Sequence, residues 1–373
     1  QTYAKVLVWE DGVYRVDAAS LGAGGLSVSS GDVANLQVFY RGQQQHVHVK
    51  TTLGNLDYVE FYGMRNDGRV DSILYRDPYT RLHDGEIQPN KHFSTFSDTS
   101  AYFFTIGSQP GLRYTDFSDL NFGNYSPAPH FRYKSYLDYH PNSGAALWNF
   151  GGGSQYDIFH ILNSYYVTAE GYVGQEFEYN QPASIVVPTK HAANVGNPSE
   201  LECRVYGRSS WRHVTKVTMN GQLMAQDTIA GIFIRTWNRG YSNSLTDNTT
   251  VLYEALGDQN NNTDNNNLLY TMVTYDHLFN MDGQKEVMVH DWQQANNAYF
   301  NFVNSDTASV ALAYDLTTHT RCEGVASGNN VRVVVPGNSQ SRKILVTTNG
   351  AIKTPMVMQP RLSNLSDPAG GAS

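Results

Sequence analysis

Residues 36–62 read LQVFYRGQQQHVHVKTTLGNLDYVEFY, and this stretch decides the class of fold. The runs LQVFY, HVHVK and YVEFY alternate with a period of two and are rich in β-branched and aromatic residues. Gly, Asn and Asp, which favour turns, bound the runs. Because this pattern is typical of antiparallel strands that bury one face, we predict consecutive β-strands here.

The same alternation continues on both sides of this stretch. It recurs at residues 4–9 and 102–105, and then in many short runs between residues 156 and 347. Helical periodicity is nearly missing. The one short helix that we predict spans residues 18–21, with Asp17 as its cap and Gly22 as its end. The predicted fold class is therefore all-β.

Changes in composition divide the chain into segments. Between residues 107 and 155 the sequence is rich in Gly, Pro, Asn, Ser and Tyr, which favour loops over a compact core. We predict an N-terminal β domain over residues 1–110, a loop-rich β connecting segment over 111–182 and a jelly-roll-like β-sandwich over 183–357. Residues 358–373 have the composition of a linker, and we expect a further domain after them.

The charge balance and hydropathy exclude two classes of partner. The chain has 26 basic and 34 acidic residues, a net charge of −8, and no cluster of Lys and Arg, so we predict no binding to nucleic acid. No run approaches about 18 apolar residues, so we predict no membrane span. Gln1 directly before a strand fits a mature terminus after signal cleavage, although an arbitrary cut would look the same. We expect a secreted or cell-surface protein.

No catalytic centre and no cofactor site is predicted within residues 1–373. Cys203 lies in the alternating run LECRV, and Cys322 lies near His319 but without a further signature of a nucleophile. As the two cysteines of the chain, Cys203 and Cys322 are candidates for one disulfide, and the sequence leaves open whether they are bonded or free.

Two patterns suggest metal sites, and neither is complete. His46 and His48 point to the same side of a predicted strand, as zinc ligands can, but no third ligand follows by spacing. The insert that starts at Asp258 reads D-x-N-x-N like a calcium loop. In that insert Thr263 replaces the glycine of the sharp turn and Leu269 replaces the bidentate glutamate. The metal content is left unknown, with structural calcium open.

Aromatic residues near predicted loops could stack on sugar rings. Trp148 and Trp211 are the candidates for such binding aromatics. The alternative for both is that they fill the cores between sheets.

Several motifs in a fixed order resemble one family. They are KVLVWEDGVYRVDAASL, LQVFYRG, DYVEFYGMRNDG, FSDTSAYFFTIG, NSYYVTAEGYVGQEF, LECRVYGRS, VTMNGQ and VALAYDLTTHTRCEGV. Together they resemble the N-terminal region of gingipain-type cysteine peptidases, which Bacteroidetes export through the type IX secretion system. Tyr172 and Gln175 stand where the family usually has Trp and Glu, so the fifth motif matches in part.

The resemblance implies a role without catalysis for this chain. In the family the peptidase domain comes next, so its catalytic residues would lie beyond Ser373 and none is assigned here. The implied partners are that downstream peptidase-like domain and outer-membrane secretion components, with transit through the periplasm. The opening lacks the longer leader of the family's sortase-like members, so we expect a secreted cargo protein.

Three Asp-Ser/Thr-aliphatic triplets match the acceptor pattern for O-glycosylation in Bacteroidetes. The candidate acceptors are Ser72, Thr228 and Thr307.

Three functions therefore stay open at the level of sequence. The first is a prodomain or platform of a gingipain-like peptidase. The second is a surface adhesion module that binds carbohydrate or protein. The third is a component of the type IX secretion or gliding machinery. The sequence does not decide the substrate, the oligomeric state or whether the full-length protein is an active peptidase.

Overall fold

A computed structural model describes residues 2–74, 88, 92, 94, 96–138, 148–149, 172–207, 212–230, 233–257, 264–306 and 310–360. In chain order the strands are β1 Tyr3–Val8, β2 Gly12–Asp17, β3 Leu36–Tyr40, β4 Gln43–Gln45, β5 His48–Thr52, β6 Asn55–Gly63, β7 Ser100–Ile106, β8 Thr115–Ser118, β9 Phe131–Asp138, β10 Trp148–Asn149, β11 Tyr172–Val173, β12 Glu176–Phe177, β13 Ala183–Pro188, β14 Ser199–Gly207, β15 Arg212–Met219, β16 Gln222–Ala230, β17 Phe233–Tyr241, β18 Asn248–Ala255, β19 Asn266–His277, β20 Glu286–Gln294, β21 Ala298–Phe302, β22 Val310–Asp315, β23 Thr320–Ser327, β24 Asn330–Val335, β25 Asn338–Thr348 and β26 Met356–Met358. The prediction of an all-β fold is confirmed.

Helical structure is confined to short segments in the part of the chain that the structure describes. The α-helix α1 spans Ala18–Ala23, and the carboxylate of Asp17 accepts a hydrogen bond from the Ser20 amide at 2.6 Å. The predicted cap is confirmed, and the helix ends two residues later than predicted. Short 3₁₀ turns lie at Val33–Asn35, Arg69–Leu74, Phe122–Asn124 and Asn349–Ala351. None of the described helices is long and apolar enough to cross a membrane.

The N-terminal part of the chain forms a β-sandwich. One sheet has the order β26-β1-β7-β3-β4, and the other has the order β2-β6-β5. Alternation along β1 and β3 turns every second side chain inwards, so that Val6, Val38 and Phe104 pack against Phe61 in one cluster. β26 pairs antiparallel with β1. The last described strand therefore returns to the first sheet.

A second sandwich lies between a four-stranded sheet and part of a much larger one. The four-stranded sheet has the order β13-β18-β15-β16. It packs over β17-β14-β19-β9, and the core between them contains Cys203, Trp237 and Tyr253. β19 carries buried residues over most of its length, as expected of a central strand covered on both faces.

The rest of the large sheet curls around a third core. Its strands run β20-β25-β22-β23-β24-β21, and the inward side chains of all of them form one cluster. Trp292 on β20 and Phe300 on β21 make an edge-to-face contact with ring centroids 4.8 Å apart, so the first and last strands of this series meet. β9 joins this part to the second sandwich through the pair Arg132 and His290.

The predicted domain boundaries stay predictions, but strand pairing crosses them. Residues 183–357, predicted as one jelly-roll, contribute to two separate hydrophobic cores. β9 and β8 come from the predicted connecting segment, yet β9 pairs with β19 and β8 pairs with β23. The residues around β9 are rich in Gly and Pro, so the sequence pattern indicated loops there. The position of β9 in the large sheet depends on its pairing with strands that are distant in sequence.

The buried carboxylate of Glu60 joins the N-terminal sandwich to the third core. Glu60 has no exposed surface and lies on the outer face of β6, since its neighbours Val59 and Phe61 face the sandwich core. Arg15 donates to its Oε1 from Nε at 3.0 Å and from Nη2 at 2.5 Å. The Tyr314 hydroxyl on β22 donates to its Oε2 at 2.7 Å.

Apolar contacts and a backbone strap surround this joint. Val13 and Tyr114 pack against Tyr314 in one cluster that spans both parts. The Lys353 amide donates to the carbonyl of Val13 at 2.8 Å, and the Lys353 ammonium pairs with Glu286 at 2.8 Å. Gly12 has a φ of +143°, a backbone conformation that residues with a Cβ rarely adopt, so this position favours glycine.

Glu60→Gln should destabilise the protein by about 3 kcal/mol, because it removes the counter-ion of buried Arg321 and of Arg15. Urea unfolding would measure the free energy. The control is Glu323→Gln: Glu323 also pairs with Arg321, but its side chain is 55% exposed, so the loss should stay within about 0.5 kcal/mol. An equal loss of unfolding free energy in the two variants would contradict the role of Glu60 at the joint.

Candidate functional site

A large cavity lies beside the joint, between the N-terminal sandwich and the large sheet. It is a cleft of about 920 Å³. Residues 11–12 and 62–69 form one wall, and β9, β20 and β25 form its floor. Residues 188–191 and 277–284 form the opposite wall. Clefts between packed units are common places for ligands, so we take it as the candidate site.

The floor carries cationic and titratable side chains on three neighbouring strands. Val289 pairs with Ile344, and both face the third core, so His290 and Lys343 next to them face the cleft. Lys134 lies two residues from Arg132, which is opposite His290. Lys134, His290 and Lys343, which we call the basic floor, therefore share one face of the sheet.

The electrostatics of the basic floor are those of crowded cations. Burial, together with the charges of Lys134 and Lys343, lowers the pKa of His290 to about 4, so the imidazole is neutral at pH 7. Burial in the cleft lowers the pKa of Lys343. The positive charges of Lys134 and Arg69 also lower this pKa, whereas the negative charge of Asp11 raises it. Lys343 nevertheless keeps part of its side chain in water.

The wall from the N-terminal sandwich carries both signs of charge and one unused hydroxyl. Asp67 pairs with Arg41 at 3.0 Å and with Arg69 at 2.7 Å. The Asp11 carboxylate accepts from the Arg65 amide at 2.9 Å. The Tyr62 hydroxyl oxygen is buried and has no hydrogen-bond partner among the described residues. Burial raises the pKa of Tyr62 well above its usual value.

The opposite wall is built from paired charges and buried imidazoles. Lys190 pairs with Asp282 at 2.7 Å, and His191 lies 3.6 Å from the same carboxylate. Burial lowers the pKa of His277 to about 4, so it is neutral at pH 7. Across the described residues, no group of three or more His, Cys, Asp or Glu side chains could hold a metal ion.

The candidate disulfide is not formed, because both thiols are free and buried in different cores. Cys203 lies in the second sandwich and Cys322 in the third core. Burial raises the pKa of each thiol to about 12, so both are protonated at neutral pH. A protonated buried thiol is a poor nucleophile.

We expect neither thiol to react with iodoacetamide at pH 8 in the native protein, because both are buried and protonated. In urea without reductant both should be alkylated, which mass spectrometry of the peptides would count. A failure to label in urea until a reductant is added would show a disulfide and contradict the structure.

The other predicted site residues lie away from the cleft or outside the described residues. His46 stacks on His319 with ring centroids 3.6 Å apart, and His48 lies 3.4 Å from Asp116. Trp148 is described only by its backbone in β10, and Trp211 lies outside the described residues. Both stay candidate binding aromatics.

Most of the predicted calcium-like insert also lies outside the described residues. Asp264, the first described residue of the insert, is buried and accepts from His213 at 2.7 Å and from the side-chain amide of Asn266 at 2.8 Å. Burial alone would raise the pKa of Asp264, but these hydrogen bonds outweigh it and the pKa is lowered. Its carboxylate is therefore engaged within the fold.

The candidate glycosylation sites differ in accessibility. Thr228 is exposed on β16. Ser72 is half-buried and donates to the carbonyl of Arg69 at 2.8 Å, and the adjacent Asp71 is buried. Thr307 lies outside the described residues. All three stay predictions.

If the native host glycosylates this protein, Thr228 should carry sugar to a higher occupancy than Ser72, because its hydroxyl is the more accessible. Glycopeptide mass spectrometry of protein from that host would measure both occupancies. Thr228→Val should remove that glycopeptide and leave the other sites unchanged. Full occupancy at Ser72 with none at Thr228 would contradict the ranking.

Sequence reasoning missed the basic floor. Alternation in FRYKSYLD does place Arg132 and Lys134 on one face of a strand. No sequence pattern indicates that β9 lies next to β20, with β25 beyond it, so the convergence of Lys134 with Lys343 was not predictable.

No family model matches this chain, and no curated protein matches it. Among solved structures, dimeric latent PorU from Porphyromonas gingivalis matches 96% of this chain with a TM-score of 0.54 and 13% identity. The match covers 33% of the PorU chain, so this chain spans about one third of that protein. At this identity the match shows a PorU-related fold.

Two further similarities are weaker. The CBM36-1 domain of a xylanase from the hindgut metagenome of Trinervitermes trinervoides matches 38% of this chain and 95% of its own, with 11% identity and a TM-score of 0.23. The β-glucuronidase of Ruminococcus gnavus matches 62% of this chain and 45% of its own, with 12% identity and a TM-score of 0.20. Neither carries an argument about this chain.

Proposed function

We propose that this chain is the non-catalytic platform of a larger gingipain-like polypeptide of the type IX secretion system. The observation that carries the proposal is the match of nearly the whole chain to one third of PorU, a gingipain-like type IX sortase. The ordered sequence motifs resemble the same family. The order of the motifs and the fold thus support the same architecture.

The chemistry of the described residues agrees with a platform. Cysteine-peptidase chemistry needs a thiolate beside an imidazole in an accessible site. Cys203 and Cys322 are buried with protonated thiols, each inside a hydrophobic core. On this proposal the peptidase-like domain, with any nucleophile, belongs to the rest of the polypeptide.

The proposed location is the cell surface or the medium, reached through the periplasm, with outer-membrane secretion components as partners. The match to PorU supports a sortase-like member of the family at least as well as a cargo protein. The cargo role therefore stays a prediction, and the platform architecture is common to both.

The proposal can be tested by the binding of this chain to the proposed partner domain. We expect the 373-residue chain to hydrolyse no substrate in a peptide panel and to bind the separately produced remainder of its polypeptide in calorimetry. Glu60→Gln, which loosens the joint between two units, should weaken that binding, and Glu323→Gln should not.

Two results would replace the proposal. Peptide turnover that Cys203→Ala abolishes would make this chain the enzyme. Glycan-array binding that Trp148→Ala or Trp211→Ala removes, together with no affinity for the remainder of the polypeptide, would favour the adhesion module. A stable complex with outer-membrane proteins but not with that remainder would favour the machinery component.

A further inference from the structure

The lysines of the basic floor lack the carboxylate partners that the neighbouring Arg132 has. Arg132, on the same strand as Lys134, donates to Glu200 at 2.8 Å and contacts Asp276 at 3.3 Å. Lys134 and Lys343 make no ion pair among the described residues, although each lowers the pKa of the His290 between them. Unpaired like charges in a partly desolvated cleft cost stability, which is common at functional sites.

No acidic side chain among the described residues that line the cleft forms an ion pair with these lysines, and each already has another partner. Asp11, whose charge acts on Lys343, lies beyond ion-pair distance of it and accepts from the backbone of Arg65. The other acidic residues of the cleft have their own partners: Asp67 with Arg41 and Arg69, Glu202 with the hydroxyl of Tyr270, Asp282 with Lys190, and Glu286 with Lys353.

The spacing of the basic floor suits one small anion. Neighbouring strands lie about 4.8 Å apart, so Lys134 and Lys343 sit on strands about 10 Å apart with His290 between them. Lysine side chains are long and flexible enough to converge on one group from that distance. The buried Tyr62 hydroxyl, which lines the same cleft without a partner, is a further donor for a ligand there.

We propose that the basic floor binds an oxyanion, the phosphate or carboxylate group of a ligand, between Lys134 and Lys343. The two ammonium groups supply the charge, and the neutral imidazole of His290 supplies a hydrogen-bond donor. This site is additional to the platform role and does not depend on it, because it uses only residues of this chain.

Inorganic phosphate and acetate are the probes, titrated separately into the 373-residue chain at pH 7 and constant ionic strength. One of them should bind with a dissociation constant on the order of 1 mM, as expected for two point charges in a half-open cleft. The anion that binds identifies the phosphate or the carboxylate as the recognised group. Lys343→Gln and Lys134→Gln should each weaken it by about tenfold or more.

Lys190→Gln is the matched control, because it removes the same charge from the opposite wall, where Lys190 is paired with Asp282. Its affinity should change by less than about threefold. The imidazole signals of His290 in NMR give a local readout. The bound anion should raise the pKa of His290 from about 4, since it offsets the two lysine charges.

The proposal is overturned if neither anion binds below about 20 mM, which corresponds to affinity no better than non-specific screening. It is also overturned if the anion binds but Lys134→Gln and Lys343→Gln leave the affinity unchanged, or if all three lysine variants weaken it equally. Unchanged binding of the remainder of the polypeptide in these variants would show that the anion site and the platform role are separate.

Discussion

The arrangement of the molecule depends on a carboxylate with no access to water. Glu60 accepts hydrogen bonds from Arg15 in its own sandwich and from Tyr314 across the joint. A carboxylate buried without such partners would carry a penalty of several kcal/mol. The N-terminal sandwich can therefore bury this face only when β22 and the nearby Arg321 are in place. The joint therefore fixes one orientation of the N-terminal sandwich on the third core. A purely apolar surface of equal area would allow other orientations.

The cleft follows from the way the units are joined. Glu60 and the Lys353–Glu286 pair hold the N-terminal sandwich to the third core along one side. Beside the joint, the same sheet face continues along β25, β20 and β9, but the N-terminal sandwich no longer covers it. The floor of the cleft is thus an extension of an interface. The polar residues of the cleft floor face the open cleft, whereas the polar residues at the joint are paired across the interface.

The sequence predicts local structure well here and long-range structure poorly. Alternation predicted the strands and Asp17 predicted the helix cap, because both depend on neighbours within a few residues. The position of β9 depends on contacts with β19 and β20, which are more than a hundred residues away in the sequence. The Gly- and Pro-rich sequence around β9 indicated loops instead. Lys134 and Lys343 could not be brought together from the sequence for the same reason.

The chemical difference between arginine and lysine supports the interpretation of the cleft as a binding surface. Several buried ion pairs of the fold use arginine: Arg15 and Arg321 contact Glu60, and Arg342 is fully buried against Asp315 at 2.9 Å. The planar guanidinium fixes such pairs through several donors. The two cations of the basic floor are lysines, which are strongly hydrated, mobile and able to exchange one anion for another. Lys134 and Lys343, which make no ion pair among the described residues, have the properties that reversible capture of an anion requires.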